Sequence, residues 1–261
     1  MGLLSDYSRQ ALAYDTTRGA SPSVLTPLRR ALAGAPGRQL ADIGGGTGNY
    51  ALALAGEGWQ PLVIDRSPQM LAQAAGKGLD TLEAEATDLP LAKQSFDAAM
   101  LVSMLHHVDS PAQALAEARR VLRPGGHLAV MVFTREDIAD AWCLEDYFPS
   151  SRAWMDETHM PLEQLLVELP GARRTAVVYE DVVDSSLAAL LAHPEMLLEP
   201  RRRTQMSYFE RMQRDHPQEL QQGLARLQRE LREGSAPRRA GRASVVAWVK
   251  PSGDGDSETA G

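Results

Sequence analysis

Short apolar runs alternate with helix-forming stretches from residue 38 to residue 133, and this alternation limits the fold more than any other feature. The runs that predict β-strands are residues 38–44, 60–65, 80–86, 96–104 and 127–133. The helices predicted between them are residues 49–58, 67–78 and 110–126. Ser67 and Ser110 each precede a proline, as is typical of helix starts. Strand–helix alternation predicts a parallel sheet with right-handed crossovers.

The second half of the chain has a looser pattern. Residues 134–160 are rich in aromatic side chains and methionine, and residues 160–172 predict a helix. Two further strands are predicted at residues 173–181 and 242–250, with a long helical insertion over residues 185–234 between them. Four leucines of that insertion, spaced as one helical stripe, predict a face turned to a core or a partner: Leu220, Leu224, Leu227 and Leu231.

Composition excludes some classes of protein. Of the 261 residues 44% are hydrophobic, yet no apolar run approaches the roughly 20 residues of a membrane span. The opening residues turn polar too early for a secretory signal, and the single Cys143 cannot form an internal disulfide, so we expect a cytoplasmic protein. A net charge of −7 argues against nucleic acid as the main partner. The six histidines are scattered, so no metal site is predicted.

A glycine-rich loop follows the first predicted strand, in the stretch LADIGGGTGNY of residues 40–50. Glycines at this position let a ligand approach the backbone. The spacing fits poorly to a dinucleotide fingerprint, because Asn49 occupies the place of its third glycine. A phosphate-binding loop is also disfavoured, because no lysine lies nearby. What the loop does show is the pattern D-x-G-x-G-x-G, which begins at Asp42.

With this loop, the order of the following motifs resembles the class I S-adenosylmethionine-dependent methyltransferases, in particular the bacterial small-molecule group. The resemblance covers residues 7–133, including YDTTRG (14–19) and RVLRPGGHLAV (120–130). It implies a Rossmann-like α/β fold with a seven-stranded, mostly parallel sheet, helices on both faces and a helical cap from the insertions. It also implies S-adenosyl-L-methionine as cofactor and S-adenosyl-L-homocysteine as product.

The resemblance implies one methyltransferase domain over residues 1–251, made of four segments. We expect an N-terminal helical lid (1–36), a cofactor-binding core (37–133), acceptor-pocket segments (134–241) and a last strand (242–251). Residues 252–261 predict a disordered tail, because they contain no apolar anchor.

The cofactor-binding residues that the resemblance implies are Tyr14, Arg18, Asp42, Gly44, Gly45, Gly46, Asp65, Arg66, Met70, Thr87, Asp88, Leu89 and Ser103. Asp42 would lie near the cofactor ammonium, and Asp65, at the end of the second strand, would accept the ribose hydroxyls. Asp88 would lie near the adenine amino group, while Arg18 would bind the cofactor carboxylate. Each acid could instead cap a turn or helix, and Arg18 could form an ordinary surface ion pair.

Candidates for catalysis follow the fourth predicted strand in the stretch SMLHHVDSP (103–111). His106 and His107 lie where open α/β sheets bind ligands, and either could act as a general base. Consecutive residues usually point in different directions, so at most one is expected to face the acceptor. Both could instead be packing residues. Tyr14 is a further candidate, because the resemblance places it over the sulfonium.

The function we expect is methyl transfer to O, N or C of a small-molecule acceptor, with specialised metabolism as a candidate setting. The aromatic segment 134–160 favours an apolar or aromatic acceptor, although it could equally be a plain cover for the sheet. A tRNA or protein methyltransferase is one alternative, and a cofactor-binding module without transfer activity is another. We interpret the basic stretches 199–205 and 237–242 as charged side chains exposed to solvent. A homo-oligomer is possible, and no nucleic-acid or membrane partner is expected.

Overall fold

The computed structural model describes residues 14–252, which contain one seven-stranded sheet. Its strands are β1 Gln39–Ile43, β2 Gln60–Asp65, β3 Asp80–Glu83, β4 Phe96–Val102, β5 Leu122–Val132, β6 Arg173–Val178 and β7 Arg242–Val249. They lie in the order β3-β2-β1-β4-β5-β7-β6. β1 to β5 run parallel, and β7 is antiparallel to both of its neighbours. The predicted fold class is therefore confirmed.

Helices cover both faces of the sheet. They are α1 Pro22–Leu32, α2 Asn49–Ala55, α3 Pro68–Gly76, α4 Pro111–Val121, α5 Arg135–Ala139, α6 Trp142–Asp146, α7 Ser151–Thr158, α8 Leu162–Glu168, α9 Leu187–Leu190, α10 Pro200–Arg203, α11 Ser207–Asp215 and α12 Pro217–Glu233. Short 3₁₀ turns occupy Leu105–His107 and Pro194–Leu198. No helix in residues 14–252 combines the length and apolar character that crossing a membrane requires.

Successive residues of the central strands face opposite layers, as the two-residue period of a strand requires. Leu40 and Val63 pack with α1, α2 and α3, whereas Ala41 and Ile64 pack with α4 and α8. Both faces are buried, which explains why these strands read as nearly continuous apolar runs. The two layers hold the carboxyl ends of the parallel strands at a fixed edge of the sheet.

Helix α1 corrects the expected extent of the N-terminal lid. Val24 and Leu28 are fully buried in the same cluster as residues of the central strands, so α1 is a fixed layer of the fold. A lid can therefore include only the chain before Pro22. The part of the expected lid before Tyr14 lies outside the described residues, and so does most of the expected tail, residues 253–261.

The cap is formed by residues 134–158 and 187–233, which share a third apolar cluster. The leucine stripe of α12 faces this cluster, with Leu220 and Leu227 buried, so its partner is the cap's own core. The helical insertion predicted over residues 185–234 consists of several short helical segments and one long helix. Pro194, Pro200 and Pro217 each begin a new helical segment, because proline cannot donate the backbone hydrogen bond of a helix interior.

The boundary between α4 and β5 also differs from the prediction. The helix was expected to continue to residue 126, but it ends at Val121. Pro124 cannot continue the helical ladder, and Gly125 adopts a positive φ of 75°. The Gly125 N–H donates to the Lys250 carbonyl at 2.9 Å, so this segment pairs with the end of β7 instead.

Candidate active site

The cavity that contains most of the predicted site residues lies where the order of the sheet reverses, between β1 and β4. Ligands bind at such a point because the loops after the two strands diverge there. The cavity has a volume of about 230 Å³. We call the part lined by the loops after β1 to β4 the sheet end, and the part lined by residues 133–159, 187–208 and 241–242 the cap end.

The glycine loop forms the floor of the sheet end. Gly44 and Gly46 have φ values of 68° and 57°, which disfavour any residue with a side chain. A Cβ on Gly45 would stand 2.4 Å from Oδ2 of Asp42. Glycine at position 45 therefore allows the loop to pass directly over a buried carboxyl group.

That carboxyl group, Asp42, has an unusual environment. It is 1% exposed, and its Oδ1 has no hydrogen-bond partner among the described residues. Two effects raise the pKa of Asp42 to about 8: burial is the larger one, and the nearby negative charge of Asp65 is the smaller one. A buried oxygen without a partner is costly, and it is well suited to receive a cationic donor of a ligand.

Asp65 lies at the end of β2 and faces the same cavity. Its Oδ2 accepts from the Gly46 N–H at 2.9 Å, and its Oδ1 accepts from the Ser67 N–H at 2.9 Å. Burial raises the pKa of Asp65, and these backbone donors partly oppose that rise. Each oxygen keeps a further lone pair, so the carboxylate can accept two ligand hydroxyls.

Residues 14–19, which we call the strap, cover the cavity from the N-terminal side. The Arg18 Nε lies 3.0 Å from Oδ1 of Asp184, and the Arg18 guanidinium carbon lies 5.4 Å from the centre of the Tyr14 ring. Burial alone would lower the pKa of Arg18, but the charge of Asp184 raises it overall, so the guanidinium stays charged. Arg18 therefore forms an ion pair with an acid, as the alternative interpretation held, but the pair lies inside the site. The other N–H groups of Arg18 could still bind the cofactor carboxylate, so that contact stays a prediction.

Asp15 ties the strap to the glycine loop. Its Oδ1 accepts from Thr47 Oγ1 at 2.7 Å and from Asn49 Nδ2 at 2.9 Å. Its Oδ2 lies 2.6 Å from Nζ of Lys77. Three donors therefore hold one carboxylate, and the hydrogen bonds of these donors together lower the pKa of Asp15 despite the opposing effect of burial.

The strap is also tied to the chain that leads into the cap. The Gly19 N–H donates to the Val183 carbonyl at 2.9 Å, and the Ser185 N–H donates to the Thr17 carbonyl at 2.9 Å. Together with the Arg18–Asp184 ion pair, these bonds join the strap to residues 183–185. The strap therefore bridges the sheet end and the cap side of the cavity.

The segment after β3 differs from the prediction. Asp88 is exposed, Leu89 is buried in the core layer, and neither they nor Thr87 lines the cavity. Glu85 and Ala86 line it instead, together with Ala84. The residues directly after a parallel strand face the site, so the end of β3 at Glu83 brings residues 84–86 to the cavity, whereas the apolar pattern had extended the strand to residue 86.

The segment after β4 brings both predicted histidines to the cavity. His106 and His107 both line it, with ring centroids 3.8 Å apart, and which of them would face an acceptor stays a prediction. Burial is the main cause that holds the pKa of His106 well below its usual range, and the neighbouring His107 is the second cause. Ser103 also lines the cavity and has a φ of 53°, a strained conformation for serine that often marks a functional site.

The remaining predicted residues lie at the sheet end. Tyr14, Arg18, Arg66 and Met70 line the cavity along with the loop glycines and the two buried acids. Their individual roles stay predictions. Among the described residues, no group of three potential ligands is close enough to hold a metal ion.

The cap end is apolar and aromatic, and it draws on residues far apart in the sequence. Its apolar lining includes Phe133, Ile138, Ala141, Trp154, Met155, Leu187, Leu191, Met206 and Tyr208. Its polar lining includes His159 and Gln205. The aromatic segment 134–160 had indicated part of this wall. The contribution of residues 205–208 could not be seen from local pattern, since it depends on how α11 packs.

Comparison with known proteins supports the geometric reading. Residues 41–130 match the family model described as a methyltransferase domain. The ubiquinone/menaquinone biosynthesis C-methyltransferase UbiE of Paracoccus denitrificans is 35% identical over 144 residues, covering 49% of this chain and 58% of that protein. Residues 41–130 are therefore a methyltransferase domain, similar to the class I S-adenosylmethionine-dependent methyltransferases that the sequence motifs resemble. S-Adenosylmethionine is therefore the cofactor of this methyltransferase domain.

Solved structures of similar proteins share the fold of this chain. A putative methyltransferase from an antibiotic biosynthesis pathway of Anabaena variabilis has a TM-score of 0.74 and 24% identity, covering 88% of this chain and 98% of that one. The cyclase SpnF has a TM-score of 0.59 and 22% identity, covering 95% and 94%. At these identities the likeness shows the fold alone. The chain spans between 35% and 58% of the length of the curated relatives compared.

The residues at the sheet end fit S-adenosylmethionine. The unpartnered Oδ1 of Asp42 can accept from the ammonium of its amino-acid portion, and Asp65 can accept from the ribose hydroxyls. Gly46 leaves open space for a ligand, because a Cβ at that position would have no protein atom within 4 Å. Glu85 and Ala86 follow β3, the strand next to β2, and line the adjoining part of the cavity, where they could contact the adenine.

Proposed function

We propose that this protein transfers a methyl group from S-adenosylmethionine to a small-molecule acceptor. The observation that carries the proposal is the single cavity that joins Asp42 and Asp65 at the sheet end to an apolar, aromatic cap end. A methyltransferase needs both halves in one enclosed space, because the acceptor atom has to meet the methyl group in line with the sulfur.

The chain's own residues would contribute binding, alignment and exclusion of water. When bound, the cofactor supplies a methyl group that is already electrophilic because it is carried on a sulfonium. Asp42 and Asp65 would hold the two polar portions of the cofactor, and the strap would cover it with Tyr14 and Arg18. A covered cavity strengthens these contacts and keeps water from competing with the acceptor.

The surface charges support a small acceptor over a nucleic acid. Four of the six arginines in the two basic stretches pair with nearby acids: Arg201 and Arg202 with Glu199, Arg238 with Glu195, and Arg242 with Asp140. Paired arginines release few counterions on binding phosphates, so they make a poor nucleic-acid surface. The relative UbiE is named for quinone biosynthesis, which also favours a small acceptor.

Cofactor binding can be tested by calorimetry with S-adenosylhomocysteine. Asp65→Asn removes the charge from the predicted ribose contacts, and charge-assisted hydrogen bonds are worth roughly 1.5–3 kcal/mol each. We expect at least about tenfold weaker binding, since 1.4 kcal/mol corresponds to a factor of ten. Asp80→Asn, at an exposed position of β3, is the matched control and should bind normally. Equal affinity of both variants would contradict the ribose assignment.

Transfer itself can be tested by the release of S-adenosylhomocysteine in the presence of a library of small metabolites. Product release with one compound class, undiminished by added bulk tRNA, is the expected result. Strong inhibition by tRNA would favour the nucleic-acid alternative. Cofactor binding without release for any compound, protein or RNA would favour a binding module of the same fold.

A further inference from the structure

The cap end contains no uncompensated charge among the described residues. Its two charged side chains are Asp137 and Arg242. Asp137 lies 3.0 Å from Arg174 and accepts from Ser244 at 2.8 Å, whereas Arg242 lies 2.8 Å from Asp140. An ionised acceptor would lose its hydration there without gaining a counter-charge, which is costly. The cap end therefore favours an uncharged acceptor.

The walls and free polar atoms of the cap end indicate the shape of that acceptor. Trp154, Met155, Met206 and Tyr208 provide aromatic and sulfur surfaces, which pack well against a planar ring. The indole N–H of Trp154 and the Oε1 of Gln205 are buried without a hydrogen-bond partner in residues 14–252. These groups can satisfy polar atoms on an otherwise apolar ligand.

His159 supplies a proton acceptor with a defined tautomer. It is 5% exposed, lines the cavity, and its Nδ1 lies 3.0 Å from the Met155 carbonyl. The Thr158 Oγ1 also lies 3.0 Å from Nδ1, but its hydroxyl donates to the Trp154 carbonyl at 2.9 Å. Because a carbonyl oxygen only accepts, Nδ1 carries the proton and Nε2 presents a lone pair. The ring stacks on His106 with centroids 5.0 Å apart and planes 17° apart, which fixes its orientation.

Burial keeps His159 neutral. It lowers the pKa of His159, although the Met155 hydrogen bond and Asp156 on the preceding helix oppose this. The other groups that face the pair are His107 and Arg18, and both lower the pKa of His106. Arg135 contacts only the backbone carbonyl of His159, through its Nε at 2.9 Å. Two stacked neutral imidazoles at neutral pH can accept a proton but hold no resident charge.

We propose that the cap end binds an uncharged, ring-bearing hydroxyl compound, and that Nε2 of His159 accepts its hydroxyl proton. The inference rests on the proposed function. The O–H bond breaks and its proton moves to Nε2. The oxygen then forms a bond to the methyl carbon while the S–CH₃ bond breaks, and the electron pair of that bond stays on the sulfur. The proton on His159 passes to water when the products leave.

The acceptor class can be tested with three naphthalene probes that share a ring and differ in charge. We would titrate 2-naphthol, 2-naphthoate and 2-naphthylmethylammonium into the protein saturated with S-adenosylhomocysteine and follow probe fluorescence. The uncharged naphthol should bind at least about tenfold more tightly than either ion, because each ion forfeits hydration worth more than 1.4 kcal/mol. Tighter binding of an ion, or binding of none of the probes, would overturn the acceptor class.

The proton acceptor can be tested with the variant His159→Asn. Its side-chain amide can still donate a hydrogen bond to the Met155 carbonyl, but it has no atom in place of Nε2. With 2-naphthol and S-adenosylmethionine, the maximal rate should fall roughly 10²-fold or more, while naphthol affinity changes less than about threefold. The matched control is His193→Asn, which alters a half-exposed histidine paired with Glu195 outside the cavity. A loss of this size for His106→Asn with a normal rate for His159→Asn would overturn the assignment.

A readout independent of turnover separates this inference from the proposed function. Nitrogen-15 NMR of the protein with S-adenosylhomocysteine should show His159 protonated on Nδ1 and bare on Nε2 at neutral pH. A protonated Nε2 would overturn the proposal. Failure of the protein to bind S-adenosylhomocysteine in calorimetry would instead overturn the proposed function, whatever the state of His159.

Discussion

Replacing Asp42 with asparagine should make the cofactor-free protein more stable while weakening cofactor binding. The carboxyl group is buried under the glycine loop with one oxygen unpartnered. Its pKa of about 8 means that the native state retains a proton at neutral pH, whereas the unfolded chain, with a pKa of 3.8, has lost it. Asparagine has nearly the same shape and stays neutral in both states.

The magnitude follows from linkage between proton binding and folding. One pKa unit corresponds to 1.36 kcal/mol, so the shift of Asp42 from 3.8 costs the native state up to about 4 kcal/mol at pH 7. The sign depends on which state binds the extra proton. Here it is the native state, so the wild-type free energy of unfolding falls as the pH rises from about 4 to about 8, by about 1.4 kcal/mol per unit. Asp42→Asn should lack this contribution.

The assay is urea unfolding of wild type, Asp42→Asn and the exposed control Asp80→Asn between pH 4 and pH 8. The stability advantage of Asp42→Asn should be largest near pH 8 and should become small near pH 4, where the unfolded chain also retains much of its proton. In calorimetry the same variant should bind S-adenosylhomocysteine at least about tenfold more weakly, because it loses the charge that meets the ammonium. Equal stability of wild type and Asp42→Asn across this range would refute the reasoning.

Three further predictions concern the same site and the cap. Wild type should release about one proton on binding S-adenosylhomocysteine at pH 7, as Asp42 ionises beside the ammonium; calorimetry in buffers of different ionisation enthalpy checks this, and equal heats would contradict it. Lys77→Met should speed hydrogen exchange in residues 14–19 at least about fivefold, because it removes the ion pair to Asp15; unchanged exchange would contradict a role for that contact. Gly223→Ala should destabilise the cap by about 1–3 kcal/mol, because its Cβ would stand 2.5 Å from the Tyr147 carbonyl oxygen; thermal unfolding measures this, and cofactor affinity should not change.

The sheet end could be predicted from sequence because its residues directly follow strands. Asp42, the loop glycines and Asp65 sit at strand ends, so local pattern is enough to place them together. The Asp88 prediction was wrong about position because strand β3 ends at Glu83, earlier than the apolar pattern suggested. An error of a few residues at a strand end moves a side chain from the site to the surface.

The cap end could not be assembled from sequence, because it depends on contacts between distant segments. His159 stacks on His106 across more than fifty residues, and Arg18 pairs with Asp184 across more than one hundred and sixty. No periodicity in either segment encodes such a pairing. The sequence does show that residues 134–160 are aromatic, but only the packing of the cap shows which of those side chains face the cavity.

The strap has a consequence for the order of kinetic events. It is bonded to the glycine loop through Asp15 and to residues 183–185 through Thr17, Arg18 and Gly19. Opening the strap breaks both sets of bonds together, so the cofactor cannot exchange while the cap side remains closed. We therefore expect a compulsory order, in which the cofactor enters first and S-adenosylhomocysteine leaves last. In steady-state kinetics, that product should compete with S-adenosylmethionine and should not compete with the acceptor.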